Sequence, residues 1–134
     1  HSAEMTQELT ALAGAPVAVN FVPHLIPMTR GILATCYATL SRSTTADQIT
    51  EIYRDFCRDE PFLHYSEVPP RTKWVAGTNH SFLHAGLDQT GRRLVAFGVI
   101  DNLAKGAAGQ GVQNANLMLG LDETAGLAVA PLYP

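Results

Sequence analysis

The sequence holds 134 residues, the span of one ordinary domain; 46% are hydrophobic and only 16% are charged. An average soluble domain carries roughly 25% charged residues, so the polar coat here is thin, and another domain or another copy is expected to cover part of the surface. A net charge of −3 with no basic cluster argues against a nucleic-acid binder, and no apolar run approaches the roughly 20 residues that span a bilayer.

Residues 4–13, EMTQELTALA, read as a short helix stopped by Gly14 at the C′ position. VAVNFV (17–22) is strand-like, and a loop bracketed by Pro23 and Pro27 follows it. GILATCYATL (31–40) reads as a buried strand, rich in small and apolar residues. Thr45-x-x-Gln48 forms a capping-box pattern. It opens a helix with Ile49, Ile52, Tyr53 and Phe56 on one face, ended by Pro61. FLHY (62–65), TKWVAG (72–77), SFLHAGL (81–87) and RRLVAFGVI (92–100) read as strands; the last two are hairpin partners across DQTG. Asp101 or Asn102 then caps a final helix running to about residue 119. Adjacent strands with two or three helices predict an α+β fold: a mainly antiparallel or mixed sheet with helices on one face. No signal peptide, repeat or linker is visible.

The final helix is unusual. It contains Gly106, Gly109 and Gly111, each costing roughly 1 kcal/mol against alanine, and it has no charged side chain from Gly106 to Leu121. Glycines admit close approach of another backbone or of a flat ligand. The amides of Gln110, Gln113, Asn114 and Asn116 suit buried hydrogen bonding, and the helix start, with Asn102, Lys105 and Gly106, offers amide groups and positive charge to an anion. A plain core helix packed on its own sheet remains the alternative.

Other candidates are weighed the same way. Arg30 carries a planar fork suited to a carboxylate or phosphate; a structural ion pair with Glu4 or Glu8 competes with that reading. His24 lies in the same loop. Lys73 and Asn79 flank Trp74, where a snorkelling lysine and turn chemistry are the ordinary readings. His80 and His84 would stand about 13 Å apart on a strand, too far to share a metal. Cys36 and Cys57 form no CxxC pair; they read as unreactive free thiols of a reducing compartment, with a bridge between them as the alternative. No GxGxxG, GxSxG, HExxH or P-loop is present.

VPHLIPMTRGILATCYA, TKWVAGTN and IDNLAKGAAGQGVQNANLMLGLDETAGL, in this order, resemble the N-acetyl-gamma-glutamyl-phosphate reductases of arginine biosynthesis. The likeness covers nearly the whole chain, and the last segment is its most specific part. HSAEMTQEL resembles the end of the family's His-x-His-x-Pro-Glu-Ile motif, with Ala3 in place of the proline. His1 then stands for the second histidine and Glu4 for the glutamate, unless His1 is the end of a purification tag.

The resemblance implies a two-domain, NADP-dependent cytoplasmic enzyme. A Rossmann domain holds the cofactor, and a cysteine in a Gly-Cys-Tyr-Pro-like motif attacks the acyl phosphate. Residues 1–134 look like the second half alone, a catalytic and dimerisation domain similar to that of the glyceraldehyde-3-phosphate dehydrogenase group. Cys36 follows the arginine and is not that nucleophile. His1 would serve as acid/base or substrate ligand, oriented by Glu4. His24, Arg30, Lys73 and Asn79 would line the acidic substrate. Asn102, Lys105, Gly106, Gly109 and Gln110 would face the nicotinamide end of NADP, and residues 101–134 would pack on the missing NADP-binding domain. The resemblance also implies a homo-oligomer, dimer or tetramer, and an isolated chain that is inactive. Two rivals stand beside it: a relative acting on an aminoadipyl phosphate in lysine synthesis or on aspartyl phosphate, and a non-enzymatic dimerisation domain.

Overall fold

The computed structural model describes residues 1–132; Tyr133 and Pro134, the end of the predicted tail, lie outside the described residues. A four-stranded mixed sheet carries the fold, in the order β1-β4-β3-β2. The strands are β1 (Ile32–Thr39), β2 (Leu63–Tyr65), β3 (Ser81–Leu87) and β4 (Arg93–Ile100). β1 and β3 run antiparallel to β4, and β2 runs parallel to β3. The helices are α1 (Ser2–Ala13), α2 (Ala46–Cys57) and α3 (Gly109–Met118). No helix among the described residues is long and apolar enough to cross a membrane.

Several expectations form for the reasons the sequence gives. Gly14 ends α1 at φ 65°, a left-handed backbone that glycine tolerates best. The capping box at α2 is complete: Thr45 Oγ1 accepts from the Gln48 amide at 3.2 Å, and Gln48 Oε1 accepts from the Thr45 amide at 3.0 Å. In the β3–β4 turn the Asp88 carboxylate collects the Thr90 hydroxyl and the amides of Thr90, Arg92 and Arg93, and these donors hold its pKa below the usual carboxylate range.

The register sorts the two faces of the sheet. Ala34, Cys36, Leu83, Ala85, Ala96 and Gly98 share one face, most of them small, and α2 packs on β2 and β3. Thr50 of α2 meets the Tyr65 hydroxyl at 3.3 Å there. The opposite face carries Leu33, Tyr37, Phe82, His84 and Phe97. The buried core includes Ile49, Phe62, Val75, Ala85 and Val99.

Four expectations are corrected. VAVNFV (17–22) is not a strand; its backbone finds no ladder partner among the described residues. TKWVAG is a 3-10 turn over Thr72–Val75, because local bonds such as Trp74 N–H to Arg71 O, 3.0 Å, replace a ladder, and Gly77 at φ 78° then reverses the chain. β1 is not buried: every residue in it is exposed. The last helix opens with a π turn, Ala104–Ala108, in which Gly106 N–H reaches Asp101 O at 2.9 Å and Ala108 N–H reaches Leu103 O at 3.1 Å.

Candidate functional site

The polar groups of this chain converge on the junction between β4 and α3. Asp101 is fully buried. Its Oδ1 accepts from Leu103 N–H at 2.8 Å, from Ala104 N–H at 2.9 Å and from Arg30 Nη2 at 2.9 Å; its Oδ2 accepts from Gly77 N–H at 2.7 Å. Burial by itself raises the carboxyl pKa, but the amides of Gly77, Ala104 and Leu103, with the Arg30 guanidinium, outweigh it and hold the group below its ordinary value. Next to it, Asn102 Oδ1 accepts from the Gly31 amide at 2.7 Å. Arg30 therefore pairs with Asp101, not with Glu4 or Glu8. The helix start is also not a free anion cradle, because the amides of Leu103 and Ala104 already serve Asp101.

A second cluster centres on Gln113, itself buried. Its Oε1 accepts from Asn79 Nδ2 at 2.9 Å and from Lys105 Nζ at 2.5 Å, while its Nε2 donates to Glu123 Oε1 at 2.5 Å. Lys105 also lies over the Phe62 ring at 5.7 Å. Burial lowers the lysine pKa, with Glu123 and Glu60 pulling the other way. Asn116 Nδ2 donates to the carbonyls of Glu123 and Ala125, tying the loop after α3 back to the helix. Asn79, only 2% exposed, keeps an Oδ1 with no hydrogen-bond partner pressed on Gly109. A Cβ on Gly109 would strike that oxygen and stand 2.9 Å from the Ala104 carbonyl oxygen. This crowding explains the glycine. At Gly111 a Cβ would meet nothing within 4 Å.

The predicted site residues thus fall into groups. Arg30 and Asn102 meet at the Asp101 cluster; Asn79, Lys105 and Gly109 meet at Gln113. His1 Nδ1 and Glu4 Oε2 pair at 3.6 Å on the exposed start of α1, and the His1 ring meets Phe21 edge-on at 6.2 Å. His24 is exposed, its Nδ1 3.1 Å from Val22 O. Gly106 is exposed, and Gln110 bonds Asn114 one turn along the helix at 3.0 Å. Lys73 sits exposed on the 3-10 turn. Cys36 and Cys57 are both free thiols, Cys57 buried and Cys36 exposed.

The sequence reading missed Asp101 as anything beyond a cap, and missed Glu123 altogether. It also missed His64, whose Nε2 stands 2.8 Å from His80 Nδ1. Burial lowers the pKa of both rings, and the charge of His64 lowers His80 further. No group of three metal-ligating side chains occurs among the described residues.

A mixed sheet covered by a capped helix, with an exposed apolar strand at its edge and a buried polar junction leading into a final helix, defines an α+β domain with bare apolar surface. The family model described as semialdehyde dehydrogenase, dimerisation domain, matches residues 1–102. The chain belongs to that family. Two crystal structures of aspartate semialdehyde dehydrogenase II from Vibrio cholerae, one complexed with ASA, superpose with a TM-score of 0.68 at 20% identity over 89% of this chain and 36% of theirs. They show the shared fold.

The whole chain also aligns with N-acetyl-gamma-glutamyl-phosphate reductases, as the sequence resemblance implies. Identity is 49% to that of Symbiobacterium thermophilum, 48% to that of Pelotomaculum thermopropionicum and 47% to that of Dehalococcoides mccartyi strain BAV1. The chain spans 39–40% of the length of these relatives.

Proposed function

We propose that this chain is the catalytic and dimerisation part of a cytoplasmic, NADP-dependent N-acetyl-gamma-glutamyl-phosphate reductase of arginine biosynthesis. The observation that supports this most is the 47–49% identity running through every residue to relatives of that name. In the full-length protein a cysteine thiolate attacks the acyl carbon of the acyl phosphate, inorganic phosphate leaves, and the resulting thioester is reduced to N-acetyl-glutamate 5-semialdehyde with release of the thiolate. NADPH, when bound by the remainder of the enzyme, would supply the reducing hydride, and a proton would convert the released thiolate to the thiol.

Within this scheme Arg30 binds an anionic group of the substrate, with His24 and Lys73 adding positive charge or hydrogen bonds on the same loop and turn. Asn79, turned inward, sets the shape of that wall. His1 holds or moves a proton and Glu4 orients it; their exposure on α1 leaves them open to the rest of the enzyme. The exposed run Gly106–Ala107–Ala108, with no side chain larger than a methyl, fits the approach of a flat ring. Gly106 and Gln110 would meet the nicotinamide end of NADP there. Lys105, Gly109 and Asn102, bonded or packed inward, would hold the surface in place. The exposed side chains of Leu103, Val112, Leu117 and Met118 suit contact with the cofactor domain. Leu33 at 53% and Tyr37 at 72% exposure suit contact with a second copy, giving a homo-oligomer.

The test is turnover by the full-length protein with N-acetyl-glutamyl phosphate, a carrier-bound aminoadipyl phosphate and aspartyl phosphate, each with NADPH. Preference for the first supports the proposal. Preference for either of the others selects the paralogue reading, and reduction of none selects the non-enzymatic domain. This chain alone is expected to show no hydride transfer.

A further inference from the structure

We propose that Asp101 is a positioning residue for substrate binding: it acts through Arg30, fixing the guanidinium so that its remaining donors meet an anionic oxygen of the substrate. The inference rests on the reading of function given above.

A helix cap needs only one or two local amides. Asp101 has those, from Leu103 and Ala104, yet it also takes Arg30 from 71 residues away and Gly77 from 24 residues away. The adjacent Asn102 holds the Gly31 amide, so the Arg30–Gly31 step is gripped at both side chain and backbone. Gly31 has φ 109°, and a Cβ there would stand 2.9 Å from Thr72 Cβ, which packs the same step on the 3-10 turn. Three constraints from two segments, Asp101–Asn102 and Thr72, thus converge on the Arg30–Gly31 step, and the arginine side chain remains about one-third exposed, at 36%.

Charge supports the assignment. A buried carboxylate facing one arginine would largely cancel it, and the site would attract no second anion. Here three backbone amides share the Asp101 charge, so the guanidinium keeps more of its pull on a further oxyanion. Only Nη2 is engaged by Asp101. The other terminal nitrogen, Nη1, is the natural donor to a carboxylate or phosphate oxygen.

The test uses the full-length protein with N-acetyl-glutamyl phosphate and three variants: Asp101→Asn, Arg30→Gln and the double substitution. Asp101→Asn keeps an oxygen for the helix amides and Arg30, but it removes the negative charge that holds the guanidinium and turns an N–H toward the Gly77 amide. The expected result is a KM raised about tenfold or more with kcat changed by less than about threefold, as for loss of a binding contact made equally in ground and transition states. Arg30→Gln gives a similar rise, and the double variant adds little to it, because one residue works through the other. A lowered melting temperature with unchanged KM, or KM effects that multiply in the double variant, overturns the inference while leaving the functional reading intact. If Asp101→Asn does not fold, Asp101→Glu decides: it keeps the charge but displaces the carboxylate from Arg30, so a raised KM supports the inference and an unchanged KM overturns it. If the unsubstituted protein reduces no acyl phosphate, both fall together.

Discussion

Residues 72–127 bury polar side chains against one another, whereas residues 1–40 leave apolar side chains bare. In the first, Asp101, Asn79, Gln113 and Asn116 are all buried; Asp101, Asn79 and Gln113 bond to segments far from them, and Asn116 bonds the loop that follows α3. At the second, α1 has no buried residue and β1 is exposed along its length, including Leu33 and Tyr37. Buried amides and carboxylates stay only where partners are built in. The first region is therefore satisfied within this chain, and the second leaves apolar surface open, as the proposed contacts require. α3 belongs to both: its inner side carries Gly109, Gln113 and Asn116, and its outer side carries Val112, Leu117 and Met118.

The contrast breaks most visibly at the glycines of that helix. Gly109→Ala should cost about 2–3 kcal/mol in urea denaturation, since overpacking against Asn79 and the Ala104 carbonyl leaves no room to relax. Gln113→Leu strips partners from Asn79, Lys105 and Glu123 together and should cost about 2 kcal/mol, read the same way. Gly111→Ala should do the reverse and stabilise the fold by roughly 0.5–1 kcal/mol, because the added methyl meets nothing and the helix gains propensity. Tyr37→Lys should shift stability by no more than about 0.5 kcal/mol, yet dissociate the full-length oligomer in sedimentation velocity. Loss of stability without dissociation would place Tyr37 in a core instead.

The smallest expected effect is pH-dependent. His64 and His80 have folded-state pKa values lowered by burial from 6.5, so below that pH the unfolded chain takes up protons more readily than the folded one. Stability should fall as the pH drops through 6.5 toward the lowered values, and His64→Asn should flatten that slope in thermal melts. An unchanged slope would mean the pair does not set it.

The same division governs what the sequence could reveal. The capping box, the amphipathic α2 and the β3–β4 hairpin were legible because each is fixed by residues a few positions apart. VAVNFV has the composition of a strand, but a strand also needs an edge to pair with, and none is offered among the described residues. TKWVAG reads as extended until Gly77 takes a positive φ and the turn closes on itself. Arg30, Asn79, Asn102, Lys105 and Gly109, which meet in the two polar clusters, stood out by residue type, but their arrangement did not. The Arg30–Asp101 pair joins residues 71 apart, and no periodicity marks such a contact. His64 and His80 likewise meet only because β2 lies parallel to β3.

Hydroxyl-radical footprinting of this chain beside the full-length protein tests the division most directly, reading Leu33, Tyr37, Leu117 and Met118. All four should be modified readily in this chain and strongly protected in the full-length protein, while Val75 and Val99 stay protected in both. Equal modification of the four in both forms would contradict the account, since the bare face would then have no partner to meet.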